Sequence, residues 1–173
     1  DGIHGRIARV TFASQPNPDP TFEHYQPGDA VLGRFGVKAR VATLDGFAAD
    51  ALQGDMGLTT PMRPTELPNP DGLTDDLHPG VDLDQDHIDR IAFYVRRIAI
   101  PHRTLPDGGA ALFESTGCAT CHTPAMHTRA DYPIAQLADI DAPIYSDLLL
   151  HDMGDALSDG MTDGSSTSRE WRT

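Results

Sequence analysis

Cys118-Ala119-Thr120-Cys121-His122 is the stretch on which the reading of this chain turns. Cys-x-x-Cys-His is the attachment signature of a c-type haem. Two thiols at this spacing sit about one helical turn apart, so both can form thioethers with the two vinyl groups of one porphyrin. His122 follows as proximal iron ligand, and the protein then tunes the redox potential through axial ligation, burial and hydrogen bonding. A thioredoxin-like redox pair would want its cysteines near a βαβ pattern, and a zinc site would want two further ligands at matching spacing. Neither accompanies this motif. Both cysteines of the 173-residue chain belong to it, which leaves no thiol for a structural disulfide.

The formal charge of −13, from 26 acidic against 13 basic residues, argues against a nucleic-acid partner, since phosphate binding needs a basic face. It suits a basic redox protein as electron donor or acceptor, with plain solubility as the simpler account. Covalent haem attachment in bacteria takes place outside the inner membrane, so the motif implies a periplasmic or otherwise exported protein. The chain starts at Asp1-Gly2-Ile3 without a basic n-region or an apolar h-region, as expected after processing or inside a longer protein. No apolar stretch reaches bilayer-spanning length.

Residues 13–30 and 60–82 are rich in Pro, Gly and Asp without an apolar period, and read as loops. A helix is expected from Thr43 to Gln53, stopped by Gly54. A second runs from a cap at Asp84 to Ile100, where Pro101 ends it, with Ile88, Ile91, Ala92, Val95, Ile98 and Ala99 as its buried stripe. A third spans Asp107 to Thr116 with Ala111, Leu112 and Phe113 inward, and Gly117 supplies a left-handed turn before Cys118. The acidic run Asp82-Leu83-Asp84-Gln85-Asp86 lacks the glycine and distal glutamate of a calcium loop, and helix capping accounts for it better.

In a single-haem cytochrome c domain the haem motif comes early and an amphipathic helix later packs back across it. Here the amphipathic helix at 84–100 precedes Cys118. Residues 1–100 therefore read as the later part of a first cytochrome c-like domain, its own haem motif upstream. Residues 101–173 read as the start of a second one that carries the Cys118 motif. The fold class expected is mostly α, cytochrome c-like haem domains with long irregular loops.

Several blocks extend beyond the haem motif: Gly33-Arg34-Phe35-Gly36-Val37-Lys38-Ala39, Gly54-Asp55-Met56-Gly57-Leu58-Thr59, Ala111-Leu112-Phe113-Glu114 with Gly117-Cys118, Tyr145 to Gly154, and Arg169-Glu170-Trp171-Arg172-Thr173. In these the chain resembles the bacterial di-haem oxidoreductases of peroxidase type, distant relatives of di-haem cytochrome c peroxidase and MauG. The resemblance implies two haems c, one penta-coordinate and peroxide-reactive, the other six-coordinate and serving electron transfer, with His122 on the latter. The second haem would be bound upstream, and calcium between the domains is a further expectation of this kind. In such relatives a carboxylate after the Gly-Arg-Phe block acts as acid and base in cleaving peroxide, and Asp55 stands at the comparable position; a turn residue beside Gly54 and Gly57 is the simpler account. Val37 stands where relatives usually carry tryptophan, which puts hole-hopping between haems in doubt. Phe47 stands where they tend to carry glutamine, which suggests a less polar distal pocket.

Met153 is a minor candidate for sixth ligand of the His122 haem, since relatives take theirs from later in the chain and a gap-filling role is the default. His151, after Leu148-Leu149-Leu150, suits a structural histidine or a haem-propionate contact. Arg169 and Arg172 are candidates for propionate binding. His4, His24, His78, His87, His102 and His127 show no paired ligand spacing. The functional expectation is a periplasmic di-haem oxidoreductase of peroxidase type. The alternative is a non-catalytic electron-transfer cytochrome or a cytochrome subunit of a larger redox assembly.

Overall fold

A computed structural model describes residues 4–12, 25–72, 79–100 and 108–173. The chain divides into two compact units, one of Val10–Gly36 and Val41–Ile98, the other of Asp1–Arg9, Val37–Arg40 and Ala99–Thr173. They are called here the helical unit and the motif unit.

In the helical unit β1 (Arg9–Thr11) pairs with β2 (Ala30–Leu32), and Phe12, Val31 and Ala42 are buried together under Val10 and Tyr25. Helix α1 (Leu44–Met56) starts at Thr43, whose hydroxyl accepts the Gly46 N–H at 3.0 Å, filling one of the orphan donors of a first turn. It runs through Gly54 and stops at Gly57, which takes the left-handed conformation (φ 71°) that a side chain would resist. The expected stop at Gly54 is therefore corrected by three residues. Helix α2 (Gln85–Arg96) is capped by Asp84 accepting from the His87 N–H. Asp82 accepts from both the backbone and the hydroxyl of Thr59, so the acidic run serves backbone satisfaction. Ala49, Leu52 and Ile88 join α1 to α2. Only Ile88 and Ala92 of the expected α2 stripe are buried, while Val95 and Ile98 are 41% and 58% exposed. The helix ends at Arg96 rather than Ile100, and the stop expected at Pro101 lies outside the described residues.

The motif unit holds the short helix α3 (Gly109–Ser115), a two-stranded ribbon of β3 (Met126–His127) and β4 (Asp141–Ala142), and another of β5 (Leu150–Asp152) and β6 (Glu170–Arg172). His151 lies opposite Trp171 in the second ribbon. Leu150 packs with Ala8 and Ala39 in a small apolar core. The start of α3 expected at Asp107 is outside the described residues, and Leu112 is 63% exposed rather than inward.

The expectation of a mostly α, cytochrome c-like fold is overturned. The structure has three α-helices among the described residues, and is 28% helical and 16% strand. Short polar side chains explain much of the difference. Asp147, Asp152 and Asp159 each accept the backbone N–H two residues on, an Asx arrangement that competes directly with helix. After the Cys118 motif the backbone is accordingly held in turns, single 3-10 turns and ribbons, rather than in the helical packing of a cytochrome c domain.

Candidate functional site

Gly117, in the left-handed region (φ 81°), ends the chain's run from α3 and starts a 3-10 turn over Cys118–Thr120. The His122 N–H closes the turn by donating to the Cys118 carbonyl at 3.0 Å. Both cysteines and His122 thus lie on one tight turn. Neither cysteine is in a disulfide; Cys118 is exposed and Cys121 half-buried, and the Thr116 hydroxyl lies 3.3 Å from the Cys118 sulfur.

The His122 ring is oriented by groups to which the sequence assigned no such role. Its Nδ1 lies 3.0 Å from the carbonyl oxygen of Tyr145. A carbonyl only accepts, so Nδ1 carries a proton, and in the neutral ring the lone pair is then on Nε2. Tyr145 itself has a left-handed backbone (φ 52°). Phe113 meets the His122 ring edge-on at 6.4 Å and the Tyr145 ring at 5.4 Å. A backbone carbonyl as orienting partner leaves no residue-type signature in sequence.

A cavity of about 440 Å³ opens on the motif, lined by Cys118, Cys121 and His122 on one hand and by Met153, Leu157 and Trp171 on the other. His151, Arg172 and Thr173 complete its polar lining. Met153 is 48% exposed and Leu157 55%, exposed apolar surface of the kind that marks a binding groove. The Trp171 ring is fixed from two directions: its Nε1–H donates to the Leu157 carbonyl at 2.9 Å, and the Lys38 ammonium lies 4.0 Å from its centroid. Lys38 is 4% exposed, and its charge is met by Asp159 at 3.1 Å and the Thr167 carbonyl at 3.1 Å.

His151 is 3% exposed, and its Nε2 lies 2.8 Å from Asp147. Burial pushes the Asp147 carboxyl up, but hydrogen bonds from the Thr173 hydroxyl, the Leu149 N–H and His151 outweigh it and hold the group below the usual aspartate value. Arg172 lines the cavity, and burial lowers its guanidinium from the usual arginine value. Arg169 instead spends its charge on Asp152 and Asp155, each at 3.0 Å, so of the two arginines only Arg172 faces the cavity.

Asp55 lies elsewhere, exposed in the last turn of α1 in the helical unit. Phe47 packs against Phe35 with ring centroids 6.0 Å apart, and Val37 is 65% exposed. His87 is engaged by Asp84. His127 lies between Asp141 at 2.8 Å and Asp139 at 2.9 Å, and these two carboxylates, Asp141 foremost, raise it above the usual histidine value. His24, His78 and His102 lie outside the described residues. Among the described residues no group of three or more His, Cys, Asp or Glu side chains is arranged to hold a metal ion, and no helix is long and apolar enough to cross a membrane.

Two thiols, an oriented imidazole and an open apolar wall lie around one cavity. Residues 22–173 match the family described as "Di-haem oxidoreductase, putative peroxidase", and the chain belongs to that family. It is thus a member of a family of haem-binding oxidoreductases. Neither a curated protein nor a solved structure matches the chain.

Proposed function

We propose that this chain is part of an exported, periplasmic di-haem oxidoreductase of peroxidase type, and that the cavity beside Cys118 holds a covalently attached haem c serving electron transfer. The observation that carries the reading is the Nδ1–H of His122 held by the Tyr145 carbonyl, the outer-shell contact that fixes a ligating imidazole and raises its basicity. When bound, the haem supplies one-electron redox chemistry. The Cys118 and Cys121 thiols would anchor it by adding across its vinyl groups, and His122 would offer Nε2 to its iron. Arg172 offers a guanidinium to an anionic edge group of the cofactor, while Leu157, Met153 and Trp171 keep water from its face. A second haem, peroxide-reactive and bound outside this cavity, would complete the enzyme. Asp55 is assigned to it as acid and base, on the family resemblance and its exposed carboxylate.

The electron donor would be a one-electron redox protein, and the net charge of −13 favours a basic one. The test is steady-state peroxide consumption by the haem-loaded protein with a reduced basic cytochrome as donor. The reading predicts turnover that is lost when His122 is replaced by Gly and is reduced at least tenfold in Asp55→Asn. Electron exchange with the donor but no peroxide consumption would leave an electron carrier and overturn the peroxidase reading.

A further inference from the structure

A lysine is buried beside the largest side chain of the cavity wall. Arg6, Arg40 and Arg169, which also meet carboxylates in the motif unit, keep 42%, 37% and 43% of their side chains exposed, against 5% for Lys38. Lysine is almost never buried unless its charge is matched, and burying a matched pair is not in itself stabilising, so this position needs a reason. The ammonium is fixed by Asp159 at 3.1 Å and by the carbonyls of Thr167 at 3.1 Å and Ser168 at 3.4 Å. Held there, it lies 4.0 Å from the centroid of the Trp171 ring. A cation attracts tryptophan more than any other side-chain ring, and more strongly when water is excluded.

The backbone around Lys38 supports the contact. The Arg172 N–H donates to the Val37 carbonyl at 2.8 Å, so the strand that carries Trp171 is tied to the residue before Lys38. Ala39, the residue after, is 1% exposed and held left-handed at φ 51°, a strained conformation for a residue with a side chain. The indole is also held at its edge, where Nε1–H meets the Leu157 carbonyl at 2.9 Å. Met153, on the same wall, is a flexible thioether chain, and Leu157 is 55% exposed. Trp171 is therefore the apolar wall residue whose orientation the fold fixes.

We propose that Lys38 is a positioning residue of this site: its buried ammonium holds the Trp171 indole as the rigid wall against which the cofactor seats, and so limits the water that reaches the cofactor and sets its reduction potential. This rests on reading the cavity as a haem site. The physical reason is solvation. The oxidised cofactor carries one more positive charge than the reduced one, and water stabilises that charge, so a wall that keeps water out favours the reduced form. An indole free to turn would admit water and favour the oxidised form.

Trp171 is the one tryptophan of the 173-residue chain, so its emission reports this ring alone. Time-resolved emission and the reduction potential at constant pH are measured on the haem-loaded chain as wild type, as Lys38→Met, and as Lys38→Met with Asp159→Asn, with haem content checked in each. The wild type should show one short lifetime, set by energy transfer to a haem at fixed distance and angle, and both variants should spread into several longer ones. Both should shift the reduction equilibrium toward the oxidised form, by about threefold or more. The double variant removes one positive and one negative charge together, so a shift that it retains comes from the indole. It also strands no carboxylate, which keeps the test open if Lys38→Met does not fold. In a Trp171→Leu background the same double change should shift the potential no further. An unchanged lifetime or an unchanged potential in the double variant, or an equal shift in the Trp171→Leu background, overturns the proposal while leaving the haem site standing. A folded wild-type chain with no attached haem would overturn both.

Discussion

The helical unit and the motif unit satisfy their backbones in opposite ways. In the helical unit, capped helices do most of the work: Thr43 and Gly57 close α1, Asp84 opens α2, and Ala49, Leu52 and Ile88 form the seam. In the motif unit the apolar core is Ala8, Ala39 and Leu150, and order comes from side chains bonded to backbone or to opposite charge. Arg6 grips both carboxylate oxygens of Glu170 through the Nε and Nη2 of one guanidinium edge, and Nη2 also donates to the Ser165 carbonyl. Lys38 is clamped between carbonyls and Asp159, and Arg40 meets Asp163 at 3.0 Å. A unit built on directional contacts rather than apolar volume can leave one wall open. That open, apolar wall is what the cavity beside Cys118 uses.

The largest stability effect should come from crowding the motif unit at its tightest point. Gly5→Ala would put a Cβ 2.6 Å from the Leu149 Cβ and 2.8 Å from the His151 ring, and should cost about 2–3 kcal/mol in urea unfolding, the upper part of the range for overpacking. A cost below about 0.5 kcal/mol would mean that the motif unit is looser than its contacts imply.

Next comes the ion pair. Hydrogen bonding from Arg6 holds the Glu170 carboxyl down at about 2, against the opposing push of burial. A carboxyl depressed on folding stabilises the protein above its unfolded value, near 4.5, and that contribution is lost as pH falls toward about 2. Because Arg6 is 42% exposed at its side chain, solvent screening reduces the contribution to roughly 1–2 kcal/mol. Glu170→Gln should cost that amount at neutral pH and shrink the loss between pH 4.5 and 2. An acid transition unchanged by the substitution would place the pH sensitivity elsewhere.

Smaller effects separate the helical unit. Thr43→Ala removes the α1 cap and should cost about 1 kcal/mol, read as earlier loss of far-ultraviolet helix signal. Gly54→Ala should do the reverse. Gly54 lies inside α1 with nothing within 4 Å of an added Cβ, so alanine should stabilise by about 0.5 kcal/mol through reduced unfolded-state entropy. Destabilisation there would revive the reading of Gly54 as the helix stop.

That glycine shows where sequence reading worked and where it failed. Caps are local chemistry, so the Asp84 cap and the left-handed Gly117 are legible from neighbouring residues alone, while Thr43, expected as the first helical residue, is the cap of α1. Glycine is ambiguous: the same residue type sits inside α1 at 54 and ends it at 57. The apolar period of residues 88–99 correctly indicated a helix, but periodicity reports a face and not what covers it, and Val95 and Ile98 are exposed. The mostly α expectation failed because the Asp-rich stretch after residue 145 carries no period to read, and its order comes from contacts such as Arg6 to Glu170 across 164 positions. At the site, the motif residues were visible as letters. Tyr145 acts through its carbonyl and Trp171 through a ribbon register, neither of which leaves a compositional trace.

The central claim is that Cys118, Cys121 and His122 form the attachment point of a covalent haem. The most direct measurement is intact mass under denaturing conditions, with a pyridine haemochrome spectrum, on protein expressed with haem-attachment machinery, alongside the Cys118→Ala/Cys121→Ala double variant. The account predicts that the denatured wild-type chain retains haem and that the double variant loses the mass of one haem. Wild-type and variant chains with the same haem content would contradict it.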